Sequence, residues 1–163
     1  MQEVKAPDHV LWCSDPGIKI FLAGSIEMGT AELWHDKVVK ALTNIQGVIY
    51  NPRRDDWDSS WEQKKTNPQF NEQVTWELNQ IKKSDIVFFY FDPNTKSPIT
   101  LLELGLVLST KKMVIVVCPE GFYRKGNVDI TCEMFRAPVY GSFDEGLKQL
   151  KNILKLNCAM AIN

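Results

Sequence analysis

The sequence predicts an α/β protein, a parallel sheet covered by helices on both faces. Three observations predict it. Short β-branched and aromatic runs alternate with longer segments of helical spacing, the pattern of parallel strands joined by right-handed crossovers. One run, Ile86 to Phe91 (Ile-Val-Phe-Phe-Tyr-Phe), is continuously apolar and lies between Asp85 and Asp92-Pro93-Asn94, as expected of a strand buried on both faces. The polar and aromatic residues left unexplained by strands or helices fall in four loops, 24–28, 51–67, 92–97 and 119–129, each after a strand. Such loops gather at the carboxyl edge of a parallel sheet, where ligands bind.

Taken in order, residues 1–17 carry Pro7, Asp8, Ser14, Asp15, Pro16 and Gly17 and read as an irregular N-terminal arm. Ile18 to Ala23 is the first strand. Gly24 to Gly29 turns the chain into a helix from about Thr30 to Thr43, with Leu33, Val38 or Val39, and Leu42 at helical spacing. Val48 to Tyr50 is a short second strand. After the loop, a helix from Pro68 to Lys83 places Gln73, Trp76, Glu77 and Gln80 on one broad face. The central strand and its loop follow. Pro98 suits the first position of the next helix, because its missing N–H has no intrahelical partner there. That helix runs to about Ser109, is almost wholly apolar, and is expected to pack deep in the core. Lys112 to Val117 is a fourth strand. A helical piece near 129–135, a fifth strand near 138–140 and a helix from Phe143 to Leu156 complete the pattern. The expected organisation is one domain over residues 18–156 and a tail at 157–163, without internal repeats, and 163 residues suffice for a sizeable core.

Composition excludes several classes. A net charge of −1 provides no bulk basic field for a nucleic-acid polymer or an anionic membrane. The apolar runs are far too short to span a bilayer, and the first residues, Met-Gln-Glu-Val-Lys, do not read as a signal peptide. The expected location is cytoplasmic. Cys13, Cys118, Cys132 and Cys158 show no CxxC or His/Cys ligand spacing and read as reduced thiols. With His9 and His35 the only histidines, neither a metal site nor a histidine-based triad is expected.

The residue that breaks the pattern is Glu103, in Leu-Leu-Glu-Leu-Gly, with Ile99 and Thr100 one turn before it and Leu106 and Val107 one turn after. A carboxylate in such surroundings costs several kcal/mol, on the order of the penalty for a buried ion, unless it is paired or neutralised. It either serves a reaction or finds a distant Arg or a backbone cap. Glu77, on the helix leading into the central strand, can deliver a second carboxylate to the same sheet edge or remain at the surface. Gly24-Ser25 is neither GxGxxG nor GxxxxGK[ST], which disfavours dinucleotide and P-loop binding. It is either a tight turn or, at a helix N-terminus, a contact for one hydroxyl or phosphate oxygen. Arg53-Arg54 with Asp55, Asp56 and Asp58 reads as a solvated cluster, but Trp57 and Trp61 among them suit stacking on a planar base.

Several segments together resemble the nucleoside 2-deoxyribosyltransferase-like family over roughly residues 18–150. They are Phe-Leu-Ala-Gly-Ser-Ile (21–26), Asn-Pro-Arg-Arg-Asp-Asp-Trp-Asp-Ser-Ser-Trp (51–61), Gln-Val-Thr-Trp-Glu-Leu (73–78), Ser-Pro-Ile-Thr-Leu-Leu-Glu-Leu-Gly (97–105) and Arg-Lys-Gly-Asn-Val-Asp-Ile (124–130). The resemblance implies a flavodoxin-like three-layer sandwich with a five-stranded, mostly parallel sheet, assembled as a homodimer or larger. It implies that Glu103, of the Glu-Leu-Gly motif, is the nucleophile toward the anomeric carbon of a 2′-deoxyribonucleoside, with no cofactor. The family's acid is an Asp, where this chain has Glu77. The transferases carry an Asp six residues before the nucleophile, where this chain has Ser97. Ser97 and Gly24-Ser25 resemble the branch that hydrolyses deoxynucleoside 5′-monophosphates, and Phe21 replaces an aromatic hydroxyl. Trp57, Asp58 and Trp61, with Asp56 beside them, belong to a loop of a further branch. Asn127 is similar to an Asn that the transferases contribute from a neighbouring subunit.

These readings lead to an enzyme acting on small molecules, a nucleoside or nucleotide and a nucleobase. Deoxyribosyl transfer between bases is the first expectation, and N-glycoside hydrolysis of deoxynucleoside monophosphates the second. Arg53, Arg54, Arg124 and Lys125 are available to assist a phosphate or are surface charge. A non-catalytic nucleotide sensor is the third, since a fold does not fix a function.

Overall fold

The structure, a computed structural model, describes residues 1–8, 17–26 and 33–160, with side chains to residue 156. The turn at 27–29, the helix start at Thr30, His9, Cys13 and residues 161–163 lie outside the described residues, as does the side chain of Cys158. The elements are β1 (Gln2–Lys5), β2 (Ile18–Gly24), α1 (Trp34–Ala41), β3 (Gly47–Asn51), α2 (Pro68–Lys83), β4 (Ile86–Tyr90), α3 (Pro98–Leu108), β5 (Met113–Val117), α4 (Lys125–Met134), β6 (Val139–Tyr140) and α5 (Phe143–Met160). All strand pairs are parallel, in the order β1-β3-β2-β4-β5-β6. The five strands β2 to β6 therefore follow a flavodoxin-like order, with a switch point between β2 and β4. The sixth strand is a difference from the five expected. Residues 2–5, read as irregular arm, pair with the edge of β3, Val4 opposite Tyr50.

The two sheet faces have separate cores, as alternation along each strand requires. Phe21, Ala23, Val87, Phe89 and Val116 face Trp76 of α2, Leu104 and Val107 of α3, and Val128 and Cys132 of α4. Ile20, Leu22, Phe88, Tyr90, Ile115 and Val117 face Trp34 and Val38 of α1, and Leu150 and Leu154 of α5. β4, buried at every position, is the spine. The chain crosses close to itself at Gly24, where a Cβ would come within 2.6 Å of both the Trp34 ring and the Tyr90 carbonyl oxygen. Only glycine lets the indole lie across the end of β2, and Trp34 Nε1 then donates to the Ser25 carbonyl at 3.0 Å.

Other elements shift from expectation in specific ways. α2 has the expected bounds, since Asn67 Oδ1 accepts from the Phe70 N–H and Pro68 follows the cap. α4 starts at Lys125, so the second part of the expected loop at 119–129 is helix. α5 runs on through residues expected as tail, to Met160. Leu33, just before α1, is half exposed, and Trp34 takes the core position instead. The largest correction concerns α3. It buries Thr100, Glu103, Leu104, Val107 and Leu108 but leaves Ile99, Leu102 and Leu106 exposed, so its apolar circumference is only half used by this chain.

Candidate active site

At the carboxyl edge of the sheet the structure brings together residues from four elements. Glu103 lies on the buried stripe of α3, 7% exposed. Burial pushes its carboxyl from 4.5 up to about 8, and the charge of Glu77 pushes in the same direction. No hydrogen bond or cation among the described residues draws it back, so the alternatives of a cap or a structural salt bridge are not what surrounds it. Glu77, on α2, is raised to about 7 by burial, opposed by a hydrogen bond from Gln73. Two carboxyls that desolvate and repel one another do not both ionise at neutral pH. The pair retains a proton there, belonging to the pair rather than to either residue.

Gln73 precedes Glu77 by one helical turn, and its Nε2 donates to Glu77 Oε1 at 2.8 Å and to the Pro52 carbonyl at 2.8 Å. That side chain joins the root of the 51–67 loop to Glu77. Arg53, next in the chain, has its backbone N–H on Asn51 Oδ1 at 3.0 Å, which fixes the turn out of β3.

Beside the start of α3 lies a triangle of buried hydroxyls. Ser25 Oγ is 2.7 Å from Thr95 Oγ1 and 2.6 Å from Ser97 Oγ, and the last two are 2.8 Å apart. The Asp92 N–H donates to Ser25 Oγ at 2.9 Å, and Thr95 Oγ1 donates to the Asp92 carbonyl at 2.9 Å. Ser97 has φ 45°, a left-handed conformation uncommon for a residue with a side chain. Such strain, on the order of 1–3 kcal/mol, persists only where the surroundings over-determine it and concentrates at functional sites. Ser25 and Ser97 were legible as candidates; Thr95 was not, because a lone threonine in a polar loop carries no signal. Asp92 Oδ1 accepts the Asn94 N–H at 2.9 Å, an Asx-turn, and the Thr95 N–H donates to the Asp92 carbonyl at 3.0 Å, so the turn at Asp92-Pro93-Asn94 is what sets Thr95 beside Ser97.

The remaining candidates sit farther out. Trp57 and Trp61 pack edge to face with centroids 5.1 Å apart, and the Arg54 guanidinium lies 5.2 Å from the Trp61 ring. Arg54 also binds Asp56 at 2.8 and 3.0 Å and Glu72 of α2 at 3.0 Å, so it clamps the loop to the helix. Asp56 is exposed and engaged by Arg54; Asp58 is exposed and accepts the Ser60 N–H at 2.8 Å. Lys125 pairs with Asp129 at 2.8 Å. Arg54 and Lys125 are therefore engaged within the fold. Asn127 stands exposed on α4, in a groove of about 370 Å³ between α3 and α4 with Leu101, Leu104 and Arg124. Gly24 is accounted for by the close approach of Trp34.

No group of three or more His, Cys, Asp or Glu among the described residues has an arrangement fit for a metal ion. Among them, too, no helix is long and apolar enough to cross a membrane. The arrangement of two buried carboxyls, one carrying the proton, suits nucleophilic attack by one with proton donation by the other. The family model described as nucleoside 2-deoxyribosyltransferase like matches residues 17–122. No curated protein gives a significant match.

Proposed function

Because the chain belongs to the nucleoside 2-deoxyribosyltransferase-like family, we propose that it cleaves the N-glycosidic bond of 2′-deoxyribonucleosides through Glu103 and passes the deoxyribosyl group to another nucleobase. The observation that carries this reading is the buried Glu77–Glu103 pair, with Glu103 held without a cation at the edge where α/β sheets bind ligands. In the first step a Glu103 oxygen bonds to the anomeric carbon while the bond to the base nitrogen breaks. The proton carried by the pair reaches the departing base through Glu77, whose Oε1 is held by Gln73. Charge building on the sugar favours the ionised form of Glu103, so the proton settles on Glu77 as the reaction starts. A second base, losing its proton to Glu77, then displaces the ester and restores the pair.

One observation favours hydrolysis of deoxynucleoside 5′-monophosphates as the second reading. The triangle of Ser25, Thr95 and Ser97 carries no negative charge and adjoins the N-terminus of α3. That combination suits phosphate oxygens better than a carboxylate at position 97 would. The exposed Ile99, Leu102 and Leu106 on α3, with Ile130, Met134 and Phe135 on and after α4, support a homodimer or larger assembly through this face. Asn127 lies on that face, which fits a contribution to a neighbouring subunit's site.

The test is mass spectrometry after incubation with a 2-fluoro-2-deoxyribosyl nucleoside, followed by product analysis with a deoxynucleoside, or its monophosphate, and a different free base. An adduct on the wild type that is lost in Glu103→Ala, with new nucleoside formed faster than free sugar, is expected. Free sugar or sugar phosphate formed at a rate indifferent to added base selects the hydrolase. No adduct and no base release from any deoxynucleoside or monophosphate refutes both.

A further inference from the structure

Among the described residues, the buried side-chain nitrogen and oxygen atoms without a partner are both ring nitrogens of His35, Arg53 Nη1 and Gln73 Oε1. Folded proteins partner nearly all such atoms, so orphans that collect in one place call for a partner there. These do collect. Arg53 lies two residues beyond the end of β3, Gln73 is fastened to the carbonyl of the residue before it, and His35, in the first turn of α1, is close enough to Arg53 to feel its charge. They are contiguous with the carboxyl pair, since Gln73 also holds Glu77.

The polarity of the orphans is fixed by their neighbours. The Pro52 carbonyl can only accept, so the Gln73 amide nitrogen must face it, and the free atom is the oxygen, an acceptor. Arg53 Nη1 can only donate. His35 is neutral, its pKa pushed down to about 3 by burial and then by the Arg53 charge, and a neutral imidazole supplies one donor and one acceptor. A phosphate needs donors alone and would meet the Gln73 oxygen unfavourably. A nucleobase edge, with a donor and an acceptor side by side, satisfies both kinds of orphan.

We propose that Gln73 and Arg53 form the base-recognition edge of this site, the Gln73 oxygen accepting from and the Arg53 Nη1 donating to the hydrogen-bonding edge of the nucleobase. This rests on the reading of the Glu77–Glu103 site as one that holds a nucleoside or nucleotide. It separates the parts of the substrate: base at the end of β3, sugar over Glu103, and the 5′ end toward the hydroxyls of Ser25, Thr95 and Ser97 at the ends of β2 and β4. Gln73 thereby touches both the base and the acid that protonates it, coupling recognition of the edge to the proton.

The test is equilibrium binding by calorimetry to Glu103→Ala, which removes turnover from the readout. Deoxyinosine and deoxyadenosine are compared with purine 2′-deoxyriboside, and deoxyuridine and deoxycytidine with 2-pyrimidinone 2′-deoxyriboside, each as nucleoside and as 5′-monophosphate. The analogues keep the ring and sugar but lack the exocyclic group of the edge. At least one natural base is expected to bind on the order of tenfold more tightly than its analogue, the loss expected for one missing hydrogen bond. Adding Gln73→Leu or Arg53→Met should bring that ratio close to one while binding of the analogue itself is retained. Equal binding of natural and stripped bases, a ratio preserved in both variants, or no binding of any member overturns the proposal. Base release by the wild type is scored separately, so failure of catalysis and failure of this assignment are distinguishable.

Discussion

Replacing Glu103 with Gln should make the protein more stable in a way that grows with pH. A carboxyl whose pKa rises on folding, here from 4.5 to about 8, binds its proton more tightly in the folded chain. The favourable contribution of the protonated group is fully present below the unfolded value of 4.5 and is lost as pH rises through the folded value. At about 1.4 kcal/mol per pKa unit, the whole span sets a ceiling of about 5 kcal/mol, of which about 4 falls between roughly pH 5 and pH 9. Relaxation and water reaching the carboxylate reduce this, leaving about 2–4 kcal/mol. The variant's amide has its own cost of about 1–3 kcal/mol for an unpartnered buried group, but that cost does not change with pH and cancels in the comparison. Thermal and urea unfolding of wild type and Glu103→Gln across that range should therefore show a gap that widens with pH by roughly 5–10 °C, at about 2–4 °C per kcal/mol for a chain of this size. Parallel curves would refute the reasoning, because they would mean that Glu103 titrates as a solvated or cation-paired carboxylate. A variant that loses stability increasingly as pH rises would refute it more strongly.

Three further outcomes follow from the same geometry. Gly24→Ala should cost more than about 2 kcal/mol in urea unfolding, since the new Cβ would overlap the Trp34 ring and the Tyr90 carbonyl, both at 2.6 Å, in the middle of a packed edge. Base release should decline as pH rises past about 8, where the pair gives up its last proton, and Glu77→Gln should lower the rate by about 10²–10⁴; a wild-type rate that stays flat well above pH 8 removes Glu77 from the acid role. Leu102→Glu, at a position 70% exposed on α3, should leave folding intact by circular dichroism and shift the sedimentation coefficient to that of a monomer, whereas an unchanged assembly places the subunit contact elsewhere.

What the sequence made legible was what local chemistry decides. The run at β4 had no polar position to spare, so its burial on both faces followed from composition, and α2 was legible from Pro68 to Lys83. β1 could not be read that way. Val4 is its one buried residue, and its identity as a strand comes from pairing with the free edge of β3, a long-range fact. Ser97 misleads locally as well. A residue before proline is normally extended, yet here it is left-handed, in a turn closed by contacts to Ser25, some seventy positions earlier in the chain. The adjacent arginines show where charge patterns stop informing. Arg54 is spent on Asp56 and Glu72, while Arg53 leaves a buried nitrogen unpartnered, and nothing in Arg-Arg-Asp-Asp distinguishes them. α3 shows the converse. A helix apolar on all sides reads as wholly interior, but one sheet can cover only one of its faces. Ile99, Leu102 and Leu106 stay exposed among the described residues, and that apolar surplus is what the proposed subunit contact rests on. Glu103 lies on the opposite, buried stripe of the same helix. Anything that docks on the outer stripe therefore bears directly on the element that carries the candidate nucleophile.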